Sequence, residues 1–260
     1  MIVLQTDQIY TRFSFSKKPL VILGFYFATF VFTSFIKLHA QKVVASSAAT
    51  TFLDAHYGKN NQDVFNGPRF YDLYGSTPKN YRYFHDYKSD QGTVVYDGQN
   101  YSNIPMHYDL VEDQLIIYSD EKSSFFKVKL DNEKVSSFTL YNTLFKKEDL
   151  SKNYNLDKNA FYEIAYSGTS LDLLIARAKY PEAKKRNTRV YYEFRTTVEF
   201  WIKNGNEYLE IDSARDLKKN FPENKKDVNQ FYKSYRTLRR TNYKKFMQNL
   251  TSLLDRLVSN

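Results

Sequence analysis

From residue 62 to residue 212 the chain runs in short stretches of alternating apolar and polar residues, with turn residues between them. A period of two sends successive side chains to opposite faces, which suits strands rather than helices. Residues 93–97 end in Asp97-Gly98, a strong hairpin signal. Residues 101–110 set Ile104, Met106, Tyr108 and Leu110 on one face, and Pro105 on the other marks a sheet edge or a bulge. Glu112-Asp113 turns the chain into residues 115–118. Phe126, Val128 and Leu130 alternate with Lys127 and Lys129, as in a strand wet on one side. Asp131-Asn132 turns again into residues 135–141. Residues 146–158 are polar and read as irregular, after which residues 161–167 group Tyr162, Ile164 and Tyr166 on one face. Weaker strands are expected over 171–178 and 189–196. The clearest hairpin joins residues 198–203 to 206–211 through Asn204-Gly205, which suits a type I′ turn. Many short strands and tight turns predict an antiparallel β-meander, open or barrel-like, rather than βαβ units.

At Asp212-Ser213 the period changes. Ser213 with Asp216 resembles a capping box, and helical spacing follows. Phe221-Pro222 breaks the first helix. Val228, Phe231, Tyr235 and Leu238, then Phe246, Leu250, Leu253 and Leu257, recur every three or four residues. The fold class is therefore α+β, sheet first and helices last. Residues 213–260 hold 12 Lys and Arg against 4 Asp and Glu, whereas residues 41–212 hold 22 against 24. The basicity of the chain belongs to its helical end. The 23 Tyr and 21 Phe fit pleated, half-buried surfaces, and the lack of Cys excludes thiol chemistry and disulfide staples.

Arg12, Lys17 and Lys18 precede an uncharged run over residues 20–36, and the small residue Ala40 follows. That sequence of features predicts a secretory signal peptide over residues 1–40. The run also reaches the lower length limit for a spanning helix, so a signal anchor in the inner membrane is the alternative. Both readings place the bulk of the chain outside the cytoplasm, behind a flexible leader over residues 41–61. The β domain spans 62–212 and a basic helical segment, 213–260, packs on it.

The segment from Gly92 through Tyr96-Asp97-Gly98 to Tyr101, Ile104-Pro105-Met106 and Tyr108-Asp109 resembles a family of exported proteins of unknown function from Bacteroidota. The resemblance continues through Lys134-Val135 and Phe138, through Phe161-Tyr162, Tyr166 and Gly168, and through the Asn-Gly hairpin into a Lys-rich helical end. It covers residues 62–235 and implies a β-rich domain in the periplasm or at the periplasmic face of the outer membrane. It implies no catalytic residue.

No sequence signature assembles a reaction. His56, His85 and His107 lack metal-ligand spacing, so no metal or other cofactor is expected. Ser167-Gly168-Thr169-Ser170 reads as a turn, and Asp109, Glu112 and Asp113 as an acidic hairpin end. Tyr96, Tyr101, Tyr108, Tyr162 and Tyr166 form a candidate aromatic binding platform. Lys225, Lys226, Lys233, Arg236, Arg239, Arg240, Lys244 and Lys245 are candidate contacts to an anionic surface. Export argues against nucleic acid as the partner. The expected function is a non-enzymatic envelope interaction module that binds an envelope protein or an anionic envelope component. An extracytoplasmic hydrolase acting on glycan or peptide is the competing expectation.

Overall fold

The computed structural model describes residues 63–119, 126–148 and 161–259. The expected signal segment and leader and most of the polar stretch 146–158 lie outside the described residues.

Ten strands form one antiparallel sheet: β1 (Asp90–Tyr96), β2 (Gln99–Asp109), β3 (Gln114–Tyr118), β4 (Lys127–Lys129), β5 (Val135–Leu140), β6 (Thr143–Lys147), β7 (Phe161–Ser167), β8 (Leu171–Arg186), β9 (Arg189–Asn204) and β10 (Glu207–Glu210). Their order across the sheet is β10-β9-β8-β7-β6-β5-β1-β2-β3-β4. Chain neighbours pair throughout, except where β5 lies beside β1. The two outermost strands do not meet, so the meander is an open sheet and not a barrel.

The turns explain the pairing. Asp97 and Gly98 both have positive φ between Tyr96 and Gln99, the type I′ pattern. Tyr141 and Asn142 do the same between Leu140 and Thr143, which makes the β5–β6 hairpin without any glycine. In the last hairpin Asn204 pairs with Glu207, so the central residues are Gly205 and Asn206. Only Gly205 has positive φ, so the turn follows the II′ pattern rather than the expected I′. Pro105 faces Gln91 beside a register shift at Gly92/Thr93, and β3 takes up its pairing one residue later, at Met106. The proline thus occupies a position where no N–H is demanded of it.

Both faces of the sheet are covered. Val94, Met106, Tyr108, Phe138, Phe145 and Phe161 form one cluster, joined by Val64, Phe65 and Phe84 from the segment before β1. Leu171, Leu173, Ile175, Phe200 and Ile202 form the next. Four helices cover it: α1 (Ala214–Asn220), α2 (Lys225–Ser234), α3 (Arg236–Thr241) and α4 (Tyr243–Val258). They contribute Leu217, Val228, Phe231, Phe246, Met247, Leu250 and Leu254. Intervening residues of the same strands, Leu174, Ala176 and Trp201, cluster with Tyr162 and Tyr208, as alternation requires. The helical start is as expected: Ser213 caps α1 and Asp216 returns the bond, a complete capping box.

One hairpin outgrows the rest. β8 and β9 stay in register from Leu171↔Asn204 to Arg186↔Arg189. β7 flanks β8 only as far as Ile175, and β10 flanks β9 only from Trp201 onward. The remainder extends past its neighbours as an arm, propped on one side by residues 74–83. The Tyr74 ring meets Tyr192 and Phe194 edge-on at 5.0 and 6.1 Å. The Asn80 side chain donates to the Tyr192 carbonyl and accepts from the Phe194 N–H, occupying backbone groups that another strand would use. On the opposite edge Lys179 N–H donates to Leu110 O at 2.8 Å, and Pro181 has no N–H to offer.

Candidate interaction surface

The five tyrosines do not make a platform. Tyr96, Tyr108 and Tyr162 are buried core residues, and Tyr101 and Tyr166 are half-buried. Tyr162 and Ile164 pack together, but Tyr166 lies in the helix-covered cluster on the other face. A register shift between Ile164 and Tyr166 reverses its direction. Tyr108 instead donates its hydroxyl to Asp113 Oδ1 at 2.5 Å inside the sheet.

The helical cations divide. Lys225, Lys226, Lys233, Arg236, Arg240 and Lys245 are exposed. Arg239 is half-buried, with its guanidinium 5.4 Å from the centre of the Tyr232 ring. Lys244 is part-exposed but already paired: its ammonium bonds Glu163, whose side chain is 1% exposed. Arg177 approaches the same carboxylate at 2.7 Å, so one buried anion from β7 joins β8 to α4. Glu163→Gln keeps the shape and loses the charge, and hydrogen bonds to charged groups are worth about 1.5–3 kcal/mol. The expected loss of unfolding free energy is about 2 kcal/mol; urea titration at neutral pH measures it, and an unchanged midpoint would refute the bridging role.

A second buried cluster ties the segment before β1 to the β2–β3 turn. Arg82 is fully buried, with Nη2 2.5 Å from Asp109 Oδ2 and 2.9 Å from Glu112 Oε1. Asp72 Oδ1 lies 3.5 Å from Nη1, and the Tyr74 ring covers the guanidinium at 4.7 Å. Burial raises the Asp109 carboxyl above its usual range even though Arg82 opposes the shift. Burial acts on Glu112 in the same sense, but hydrogen bonds from Lys129 and Arg82 hold it below the carboxylate norm. Asp109 and Glu112 of the acidic hairpin end are thus held in ion pairs, and Asp113 accepts the Tyr108 hydroxyl. Beside it, the Lys179 ammonium donates to the carbonyls of Tyr81 and Tyr83 at 2.7 and 2.9 Å. Burial pulls Lys179 down to about 8.

His107 stacks on Tyr83 with ring centres 3.9 Å apart, and its Nδ1 bonds the Tyr118 hydroxyl. Burial, aided by the nearby Lys127, lowers it to about 4. A depressed imidazole favours the neutral form in the fold. Its stabilisation is complete above about pH 6.5 and is lost as pH falls towards 4, an effect of about 3 kcal/mol. Urea unfolding at pH 7 and pH 4.5 should show this loss, and His107→Phe should flatten that part of the profile. Among the described residues no group of His, Cys, Asp and Glu converges to hold a metal ion.

The β7–β8 turn is held by Asp255 of α4, which accepts the N–H groups of Thr169, Ser170 and Leu171 at 3.1, 2.7 and 2.8 Å, and the Tyr166 hydroxyl at 3.0 Å. Burial opposes ionisation of this carboxyl, but the donors prevail and hold it below its normal value. Gly168 belongs here because a Cβ would stand 2.2 Å from Asp255 Oδ2. Next to the turn lies an open polar cavity of 390 Å3, lined by residues of the 168–172 and 203–205 turns.

The arm tip is the surface that the sequence reading missed. Ala183 to Tyr191 contains Lys184, Lys185, Arg186 and Arg189 and no acid. Val190 is 62% and Tyr191 43% exposed. Its sequence signal is four cations around Asn187-Thr188, a turn whose positive φ falls on Asn187. Exposed Tyr180 lies three rungs below Ala183, under Arg195 at 5.2 Å.

Comparison of the chain with protein-family models, with curated proteins and with solved structures found no match.

Proposed function

We propose that the protein is an exported, non-enzymatic interaction module of the cell envelope. The observation that carries this reading is the β8–β9 arm, a long hairpin that extends past its neighbours and exposes apolar and basic side chains together. Such a combination suits a contact surface rather than a solvated strand pair. The basic, apolar and small-residue sequence over residues 12–40 supports export, and the exposed cations of α2 and α3 offer a second surface. The buried carboxylates Asp109 and Glu163 are each committed to cations, which suits architecture better than proton transfer.

The test is mild detergent extraction of the native envelope with tagged full-length protein, followed by mass spectrometry of what co-purifies. Removing the helical segment would expose Leu173, Ile175, Phe200 and Ile202, so the variants are substitutions on the intact chain. One variant reverses Lys225, Lys226 and Lys233 to Glu, and another reverses the arm-tip cations. A stoichiometric component lost in either variant supports the module. A soluble, partnerless protein that cleaves glycan or peptide would overturn it in favour of the hydrolase.

A further inference from the structure

We propose that the tip of the β8–β9 arm docks on an anionic phospholipid surface. This rests on the module reading only for the availability of such a surface. Arg186 and Arg189 sit directly opposite each other at the end of the hairpin. Like charges in that position repel, and a shared anion relieves the repulsion. Lys185 faces Val190 on the next rung, and Lys184 faces Tyr191 on the one after, so each apolar residue has a cation at its side. Lys184 is bound to Glu182 at 3.1 Å. Among the described residues no acid pairs with Lys185, Arg186 or Arg189. The acids nearest the tip, Glu182 and Glu193, form a cross-strand pair set back behind these rungs.

This arrangement fits a bilayer better than a protein groove. The cations lie on both faces of a narrow tip, as a flat field of phosphates requires, and Val190 and Tyr191 are placed to enter the headgroup layer. Below the tip Asn80 occupies the Tyr192 carbonyl and the Phe194 N–H, and at the tip itself the side chains make the contact. Each cation near an anionic leaflet strengthens binding about fivefold, so three give about a hundredfold.

The experiment is vesicle co-sedimentation of the purified protein. Phosphatidylcholine vesicles are compared with vesicles that also contain phosphatidylglycerol. Binding only to the mixed vesicles, falling steeply with salt, is expected. Lys185→Glu/Arg186→Glu/Arg189→Glu should reduce it by at least about a hundredfold, since reversal adds repulsion to the loss of three cations, and Val190→Ser/Tyr191→Ser should lower the binding that remains at high salt. Thermal unfolding should be unchanged in both, since these residues touch no core. Equal binding by the charge-reversed tip overturns the proposal. So does equal binding to phosphatidylcholine, loss of binding to inorganic phosphate at constant ionic strength, or loss confined to the Lys225/Lys226/Lys233 variant. If the charge-reversed tip bound the mixed vesicles as well as the native protein while an envelope protein still co-purified, the module reading would stand and this one would fall.

Discussion

Replacing Arg82 by Leu is expected to cost about 3–5 kcal/mol of unfolding free energy, because Asp109 would be left charged and fully enclosed. Without the guanidinium the Asp109 carboxylate keeps one backbone donor, Val111 N–H at 2.9 Å. Arg82→Lys should fall short of rescue, since an ammonium cannot place fixed donors on Asp109 and Glu112 together. The double substitution Arg82→Leu/Asp109→Leu should recover part of the loss, as removing both charges removes the stranded one. Guanidinium titration of the four proteins at neutral pH decides the matter. A single-variant loss below about 1 kcal/mol would place the pair with surface ion pairs and sink the argument.

The second large effect lies at high pH. Tyr83, Tyr108 and Tyr118 are buried, and burial raises all three hydroxyls far above the ordinary phenol range. Half-buried Tyr141 is pushed up to about 12. A group whose pKa is raised by folding stabilises fully below the unfolded value, near 10, and the contribution is lost as pH rises beyond it. At pH 11 the three buried tyrosines should together cost about 4 kcal/mol, a large share of the stability of an ordinary domain. Lys179 acts in the opposite sense: its depressed pKa, about 8, makes folding more favourable as pH climbs towards the unfolded value. The stability curve should therefore hold or rise to about pH 10 and then drop steeply. Absorbance at 295 nm, followed with circular dichroism, should show tyrosine ionisation arriving together with unfolding. Smooth ionisation of all tyrosines near pH 10 with the fold intact would contradict the burial.

How the sequence foreshadowed this fold varies with the cause of each element. The alternation in β1 to β5 and the Ser213–Asp216 box depend on neighbours a few residues apart, and local pattern carries them. β6 escaped because its turn is Tyr141-Asn142, which lacks the glycine that usually marks positive φ. The arm was expected as two short strands because Pro181 and the Lys184–Arg189 charges interrupt its alternation; cross-strand register, not burial, keeps it extended. Alternation placed Tyr162 with Ile164 correctly, but it carried neither the register shift that turns Tyr166 to the other face nor the covering of both faces of the sheet. That is why Tyr96, Tyr108 and Tyr162, named as candidates for a binding platform, lie within the core. The Arg82–Asp109 pair bridges an irregular segment and a strand end, a contact set by tertiary packing that no period in the chain encodes.

The β1–β5 pairing divides the folding of the sheet into two local acts and one distant one. β1 to β4 and β5 to β10 are each a run of hairpins, most closed by short turns, whereas Thr93 must find Thr139 across the whole first run. Loop-closure entropy grows only slowly with length, so the seam is affordable once formed but late to form. Two half-sheets with one shared border are thus the natural cooperative units. Amide exchange along Thr93–Tyr96 and Val135–Thr139 would report the opening of that border separately from the melting of either half.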